Sequence, residues 1–163
     1  NSYDVVILDD VTEGAAQTVL TAKHLINDDT PLMTMNSDQL VDWDVERLFE
    51  MCEQFDGVIP CFYGEGNAWS YARTLDNGYV QEVAEKKQIS KYATAGYYYW
   101  KKGSDFVKYA EQMIKDNSRT NGEFYVAPVY NWAVRDGKRI GVFMVDKCYS
   151  LGTPEDLQEY LNG

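Results

Sequence analysis

The sequence predicts an α/β domain in which helices alternate with the strands of a mixed, mostly parallel sheet. Short apolar runs rich in β-branched residues alternate along the chain with segments of helical periodicity. A single strong hairpin signal, Asn77-Gly78, interrupts this alternation. The apolar run Leu32–Met35 ends in the polar triplet Asn36-Ser37-Asp38. Open α/β sheets bind ligands at such strand ends, so this triplet is the first place to look for function.

The first third of the chain has the pattern of a strand, a helix and a second strand. Residues 3–8 are β-branched and apolar, which predicts a strand. Thr12 is a suitable cap for a helix that continues to residue 26, where a polar segment ending in Pro31 stops it. Residues 32–35 then form the second predicted strand. This order is typical of a βαβ unit.

The middle third contains one helix, the hairpin and two further strands. Residues 45–55 carry apolar side chains at helical spacing, and residues 57–62 form a short apolar strand. The hairpin joins predicted strands at residues 71–75 and 79–83. Residues 93–100 predict one continuous strand, and alternation would place half of its four aromatic side chains in the core.

The last third closes the domain with two helices, a strand and a final helix. Helical periodicity covers residues 103–115 and 123–134, although Pro128 must start or kink the second of these helices. Residues 140–145 predict a strand. Thr153 caps the final helix, with Pro154 in its first turn. No linker divides the chain, so residues 1–163 are expected to form a single domain.

Composition and charge limit the classes of partner. A net charge of -11 repels phosphate backbones and no basic stripe offsets it, so nucleic acid is not an expected partner. No apolar run approaches the length of a membrane span. The three cysteines lack CxxC spacing and are expected to be reduced, which favours a cytoplasmic location. Because Asn1 leads almost directly into a strand, we expect the chain to be a fragment.

Several short motifs occur in an order that carries a family resemblance. The chain resembles the later two-thirds of a sugar nucleotidyltransferase, the family that joins a nucleoside triphosphate to a sugar 1-phosphate and releases pyrophosphate. The last of these motifs, Leu151-Gly152-Thr153-Pro154-Glu155-Asp156-Leu157, is the most specific. The others are Thr12-Glu13-Gly14-Ala15-Ala16, Asn36-Ser37-Asp38, Glu85-Lys86, Ala95-Gly96-Tyr97-Tyr98 and Glu123-Phe124-Tyr125.

The resemblance implies a fold and a metal site. The expected fold is a three-layer sandwich of the nucleotide-diphospho-sugar transferase type, truncated at its amino end. Asp38 would be a ligand of Mg²⁺, which needs only one or two carboxylates because it keeps several waters. The second acidic ligand of the family falls at Ser150, whose hydroxyl is a poor substitute for a carboxylate. Taken alone, without the resemblance, Asp38 is better explained as a turn residue after a strand.

The resemblance also implies binding residues for the two substrates. Glu13 and Gly14 would lie beside the nucleotide, where a missing Cβ allows close approach. Glu85 and Lys86 would meet the hydroxyls and the phosphate of the sugar, and Gly96 would let the backbone approach the sugar. Each has a structural alternative: Gly14 as a helix-start glycine, the Glu-Lys pair as a solvated loop and Gly96 as a strand bulge.

Departures from the family pattern leave three functional hypotheses, of which the first is a nucleotidyltransferase domain truncated at its amino end. No Gly-rich loop with an Arg, which holds the triphosphate in the family, occurs in residues 1–163, and Tyr71 replaces a common Gly. We therefore expect nucleotidyl transfer by this chain alone to be negligible. The alternatives are a metal-dependent glycosyltransferase of the GT-A type and a non-catalytic nucleotide- or sugar-binding module. Because a central strand would be missing, we also expect residues 3–8 or a second copy of the chain to pair with residues 32–35.

Overall fold

The computed structural model describes residues 3–162, which form a main sheet of seven strands and a separate sheet of two. The order of the main sheet is β1-β7-β3-β6-β4-β5, and β8 pairs with β3. The small sheet consists of β2 and β9. The strands are β1 (Leu32–Met35), β2 (Gln39–Asp42), β3 (Gly57–Tyr63), β4 (Ser70–Thr74), β5 (Val80–Glu85), β6 (Tyr92–Thr94), β7 (Tyr97–Trp100), β8 (Ile140–Met144) and β9 (Lys147–Ser150).

Helices cover both faces of the main sheet, which confirms the predicted α/β class and its three layers. Val58 and Ile59 are neighbours on β3 but belong to different buried clusters, because successive strand side chains point to opposite faces. Helix α3 packs with the Val58 cluster, and α1, α4 and α5 pack with the Ile59 cluster. The helices are α1 (Ala15–Thr21), α2 (Lys23–Ile26), α3 (Val45–Gln54), α4 (Gly103–Lys115), α5 (Tyr130–Arg135) and α6 (Pro154–Asn162).

The prediction that the sheet is mostly parallel is wrong. Within residues 3–162, the pair β3–β8 is the parallel one, and the other strand pairs are antiparallel. Strands β4 and β5 are joined by the short hairpin connection at Asn77-Gly78, which suits antiparallel neighbours. The parallel pair β3–β8 needs a long crossover, and the chain between these two strands includes β4 to β7, α4 and α5.

The predicted strand at residues 3–8 is also wrong, and so is its predicted pairing with β1. These residues form no strand, and Tyr3, Val5 and Ile7 are at least 73% exposed. A strand is stable only when a neighbour completes its hydrogen bonds, and no other described segment pairs with residues 3–8. Strand β1 pairs with β7 alone, so its other edge is open within the described chain.

Two predicted helices begin later than expected, and one predicted strand is interrupted. Helix α1 begins at Ala15 rather than Thr12, and Ala22 separates it from α2. The segment around Pro128 forms a 3₁₀ turn, Ala127–Val129, before α5 begins. The predicted strand at residues 93–100 divides into β6 and β7 because Gly96 adopts a φ of 77° between them.

The aromatic side chains of β7 are all buried, although alternation predicted that only half would be. Both faces of β7 are covered, so each of Tyr97, Tyr98, Tyr99 and Trp100 is at most 9% exposed. Trp100 stacks on the ring of Tyr130 in α5 with 4.1 Å between the ring centroids. This stack fixes α5 against the sheet.

Candidate functional site

A cavity of about 340 Å³ opens where the small sheet meets the main sheet. It has two sides of different construction, which we call the sheet wall and the loop wall. The sheet wall consists of Ser70, Glu85, Thr94 and Tyr98, which belong to strands of the main sheet or end them. The loop wall consists of Asn36, Asp38, Ser150 and Asp156. The remaining lining residues are Gln39, Ala68, Trp69 and Gly96.

The sheet wall is buried and connected by hydrogen bonds. Ser70 and Glu85 are cross-strand partners on β4 and β5, and the Ser70 hydroxyl donates to Glu85 Oε2. The hydroxyls of Thr94 and Tyr98 lie 3.0 Å apart and share a hydrogen bond. Burial raises the pKa of Glu85, although the hydrogen bond from Ser70 and the charge of Lys86 oppose this effect. The wall therefore presents a partly desolvated carboxylate in a fixed position.

The loop wall is less buried than the sheet wall and is held by backbone contacts. Asp38 lies just beyond the end of β1, and its carbonyl accepts a 2.7 Å hydrogen bond from the amide of Leu151. Its carboxylate is exposed and makes no hydrogen bond within the described residues. The Gln39–Ser150 pair of the small sheet brings β9 against this loop. Asp38 is thus oriented by its backbone while its carboxylate oxygens stay available.

Ser150 and Asp156 form a second acidic position opposite Asp38. The Ser150 hydroxyl donates to Asp156 Oδ2 over 3.1 Å. The amide of Thr153 also donates to Asp156 Oδ2, and the Asp156 amide donates back to Thr153 Oγ1. This reciprocal cap confirms the predicted start of α6. It also explains how Asp156, which was not a predicted site residue, reaches the cavity.

Gly96 joins the two walls, and a side chain there would displace the end of the Gln39 side chain. A Cβ at this position would lie 1.4 Å from Gln39 Oε1. The Gly96 carbonyl accepts a 2.9 Å hydrogen bond from the amide of Asn36. Its positive φ and this contact explain why glycine occupies the turn between β6 and β7.

Three predicted site residues do not line the cavity. Lys86 follows Glu85, but its ammonium lies 5.3 Å from the ring centroid of Tyr125. A hydrogen bond to the Tyr125 hydroxyl raises the pKa of Lys86. Glu13 pairs with Arg119 over 2.9 Å. A Cβ on Gly14 would lie 2.5 Å from the backbone nitrogen of Phe124, so close packing already requires glycine there.

Sequence reasoning missed the buried and aromatic lining residues. Strand pairing brings these residues to the cavity, and no short pattern in the sequence predicts that pairing. They are Ser70, Thr94, Trp69 and Gln39. The four-residue strands β2 and β9 were not predicted because neither has an apolar run. One signal was available: the pattern Thr153-Pro154-Glu155-Asp156 is a helix cap, and its Asp156 lies close to Ser150 in sequence.

The described residues contain no group of three or more His, Cys, Asp or Glu side chains that could hold a metal ion. A tight all-protein metal site is therefore not built into residues 3–162. Mg²⁺ does not need such a site, because one or two carboxylates, waters and substrate phosphates complete its shell. Asp38 meets this weaker requirement, since its carboxylate is exposed, lines the cavity and has no competing hydrogen bond. No helix in the described part of the chain has the length and apolarity needed to span a membrane.

The family to which this fold and cavity belong is identified by comparison with models of known protein families. The model of the nucleotidyl transferase family matches residues 4–162. The chain therefore belongs to the nucleotidyl transferase family, which confirms the resemblance seen in the sequence. No curated protein sequence is similar enough to the chain to count as a match.

Solved structures of the same fold cover almost all of this chain. A nucleoside-diphosphate-sugar pyrophosphorylase from Vibrio cholerae RC9 has a TM-score of 0.79 and 24% identity, over 96% of this chain and 68% of its own. A putative glucose-1-phosphate thymidylyltransferase from Bacillus anthracis, solved with sucrose, has a TM-score of 0.73 and 18% identity over 93% of this chain and 61% of its own. A UDP-glucose pyrophosphorylase complexed with UDP-glucose has a TM-score of 0.73 and 17% identity over 94% of this chain and 62% of its own. The chain thus spans about two-thirds of the length of these structures.

Proposed function

We propose that the cavity between the sheet wall and the loop wall binds the phosphorylated acceptor of a nucleotidyl transfer reaction. In this reaction a nucleoside monophosphate passes from a nucleoside triphosphate to a sugar 1-phosphate or a similar phosphorylated head group, and pyrophosphate leaves. The observation that carries the proposal is the joint lining of one cavity by Asp38 and Glu85 in a chain of this family. The two carboxylates have different environments, which suits two different tasks.

Glu85 is suited to bind hydroxyl groups of the acceptor. A carboxylate accepts hydrogen bonds and cannot donate them, so sugar hydroxyls are appropriate partners. The Ser70 hydroxyl already holds one oxygen, Oε2, which fixes the direction of the side chain. Gly96, between the walls, would allow the acceptor to approach the backbone closely.

Asp38 is suited to hold Mg²⁺ at the phosphate end of the acceptor. When bound there, Mg²⁺ would neutralise charge on the phosphate oxygens. The remaining lining offers no compensation, because no Lys or Arg lines the cavity in the described part of the chain. Ser150 would contribute only through Asp156, to which its hydroxyl donates.

Glu13, Gly14 and Lys86 remain proposed binding residues for the nucleotide and the phosphate. Their side chains or backbone lie outside the cavity lining, and each has a structural partner of its own. The cavity is therefore the proposed binding site of the acceptor, and the nucleotide is proposed to bind outside it, near Gly14.

Titration calorimetry with glucose 1-phosphate and with UDP-glucose, in Mg²⁺ and in EDTA, tests the proposed function. We expect saturable binding of glucose 1-phosphate or UDP-glucose in Mg²⁺ and much weaker binding in EDTA. A pyrophosphate-release assay with the nucleoside triphosphates should show negligible turnover by this chain alone. No binding of either ligand in Mg²⁺ would contradict the proposal, and robust pyrophosphate release would contradict the expected inactivity. Transfer of glucose from UDP-glucose to another acceptor would favour the glycosyltransferase alternative.

We also propose that the open edge of β1 pairs with a second copy of the chain. Residues 3–8 do not cover this edge, and Met35 on β1 is 63% exposed. Strand pairing would satisfy backbone groups that have no partner within residues 3–162. Light scattering coupled to size exclusion should show a dimer that Met35→Pro weakens, because alternation along β1 turns the Met35 amide to the open edge while the Asn36 amide bonds Gly96 on the other side. A wild-type monomer at high concentration would contradict the pairing.

A further inference from the structure

A second cavity of about 340 Å³ lies beside the acceptor cavity, between α6, β9 and the ring of Trp69. Three residues, Trp69, Ser150 and Asp156, line both cavities. A ligand seated between the walls could therefore extend past Ser150 without leaving the protein surface. The other lining residues of the second cavity are Cys148, Tyr149, Glu159 and Tyr160.

Aromatic rings form much of this second cavity, and neighbouring rings hold them. Tyr149 and Tyr160 meet edge to face with 5.0 Å between their ring centroids. Trp69 is half-buried and meets Phe62 edge to face with 5.1 Å between the centroids. The electron-rich faces of such rings attract cations.

The charge of the second cavity also favours binding of a cation. Asp156 and Glu159 line it, and neither carboxylate forms a salt bridge within residues 3–162. Cys148 adds no negative charge at neutral pH, because burial raises the pKa of its thiol to about 11. No Lys or Arg lines the cavity in the described part of the chain. Three aromatic rings and two carboxylates without a salt bridge therefore surround a space with no Lys or Arg in the described part of the chain.

We propose that this second cavity binds a positively charged amine or quaternary ammonium group, carried by the phosphorylated acceptor. The inference rests on the proposed function for the link to a phosphorylated acceptor, but the preference for a cation is independent of it. A head group of this class would place its phosphate near Asp38 and its cation between Trp69, Tyr160 and Glu159. Rings and carboxylates together favour a cation over an uncharged group of the same shape.

Choline and its uncharged isostere 3,3-dimethylbutan-1-ol test the proposal directly. Both probes lack phosphate and require no nucleotide, so their binding in ligand-observed NMR titrations does not depend on the proposed phosphate site. We expect choline to bind at least about fivefold more tightly than the isostere. Equal binding of the two probes, or no binding of either, would overturn the inference while leaving the Mg²⁺-dependent binding of glucose 1-phosphate untouched.

Substitutions on α6 show whether the preference is local. Glu159→Gln keeps the shape of the side chain and should weaken choline binding about threefold or more, whereas the isostere should be unaffected. Glu155→Gln removes the same charge from an exposed carboxylate that lines neither cavity, and choline binding should stay within about 1.5-fold of wild type. Trp69→Leu should weaken choline binding as well. Equal effects of Glu155→Gln and Glu159→Gln would mean that general surface charge attracts the probe, and would overturn the assignment.

Discussion

The two walls of the acceptor cavity are built in opposite ways. The sheet wall comes from paired strands, and its polar groups satisfy one another through the Ser70–Glu85 and Thr94–Tyr98 hydrogen bonds. The loop wall comes from segments that follow a strand or cap a helix, and the carboxylate of Asp38 has no hydrogen-bond partner in the described part of the chain. The polar groups of the sheet wall are hydrogen-bonded to one another without a ligand, whereas the loop wall has free acceptor oxygens on Asp38.

Because of this difference, the two walls are expected to contribute to ligand binding in different ways. A preorganised wall loses little entropy when it binds, so it suits recognition of a fixed pattern of hydroxyl groups. The exposed carboxylate of Asp38 binds strongly only when a cation or a donor completes it. We therefore expect substitutions of Asp38 to change binding with little effect on stability. Substitutions in the sheet wall should change stability as well.

The largest expected effect is that of Asp38→Asn on Mg²⁺-dependent binding. Loss of a metal ligand should weaken binding of glucose 1-phosphate in Mg²⁺ by at least about tenfold, as measured by calorimetry. The free energy of unfolding without metal should change by less than about 0.5 kcal/mol, because the side chain is exposed and makes no hydrogen bond.

Asp42→Asn is the matched control, since Asp42 is an exposed carboxylate on β2 that does not line the cavity. It should leave binding in Mg²⁺ unchanged. Equal losses in the two variants would mean that Asp38 has no special role, and the comparison of the walls would then fail.

Gly96→Ala tests the turn that joins the walls. A Cβ at φ 77° is expected to cost about 1–2 kcal/mol of stability. Gly66→Ala is the control that measures the cost of a Cβ at positive φ without a steric contact. Gly66 has a φ of 87° and no neighbour within 4 Å of its Cβ position. The two variants should lose similar stability in urea denaturation, since the atom that meets Gly96 Cβ is the flexible end of Gln39. Only Gly96→Ala should weaken binding of the acceptor, and retention of full affinity would show that Gly96 does not shape the site.

Tyr98→Phe measures the contribution of the sheet wall to stability. It removes the hydroxyl that shares a 3.0 Å hydrogen bond with Thr94, and should lower the free energy of unfolding by about 1 kcal/mol. Tyr71→Phe removes another buried hydroxyl, one that has no partner among the described residues, and should be neutral or stabilising. If both variants lost equal stability, the hydrogen bond between Thr94 and Tyr98 would not be what stabilises the sheet wall.

The smallest expected effect is the dependence of stability on pH through Glu85. Because burial raises the pKa of Glu85 in the folded state, the folded protein binds a proton that the unfolded chain has already released. The penalty for burying the charge is absent below the ordinary pKa of a glutamate and develops as pH rises through the raised pKa. Glu85→Gln should therefore raise the melting temperature slightly at pH 7 and have little effect at pH 4. A larger gain at pH 4 would reverse this sign and contradict the burial of the charge.

The sequence was sufficient to predict the elements with strong local signals. The helix predicted at residues 45–55, the strand β3, the hairpin at Asn77-Gly78 and the cap at Thr153 are confirmed. Each depends on interactions between residues close in the chain, so periodicity and turn chemistry identify it. The family resemblance, carried by ordered motifs, is confirmed as well.

The errors arise where distant segments decide the structure. Residues 3–8 have strand composition but no neighbour to pair with, and the mostly parallel sheet was inferred from alternation without knowledge of strand order. The contrast between Glu85 and Lys86 also lay beyond the sequence. Adjacent residues were expected to act together, yet Glu85 lines the cavity and Lys86 contacts Tyr125. Such contacts depend on which face of the sheet the next helix or loop covers.

The proposed metal site at Asp38 is tested most sharply by paramagnetic broadening of backbone amide signals by Mn²⁺ in the presence of glucose 1-phosphate. Mn²⁺ prefers the same oxygen ligands as Mg²⁺, so its position reports the metal site. Mn²⁺ held by Asp38 should selectively broaden the signals of Asp38, Gly96 and Gly152, with little effect at Gly14, and Asp38→Asn should abolish this pattern. Broadening centred on the acidic residues of α3, or a pattern unchanged by Asp38→Asn, would contradict the proposed site.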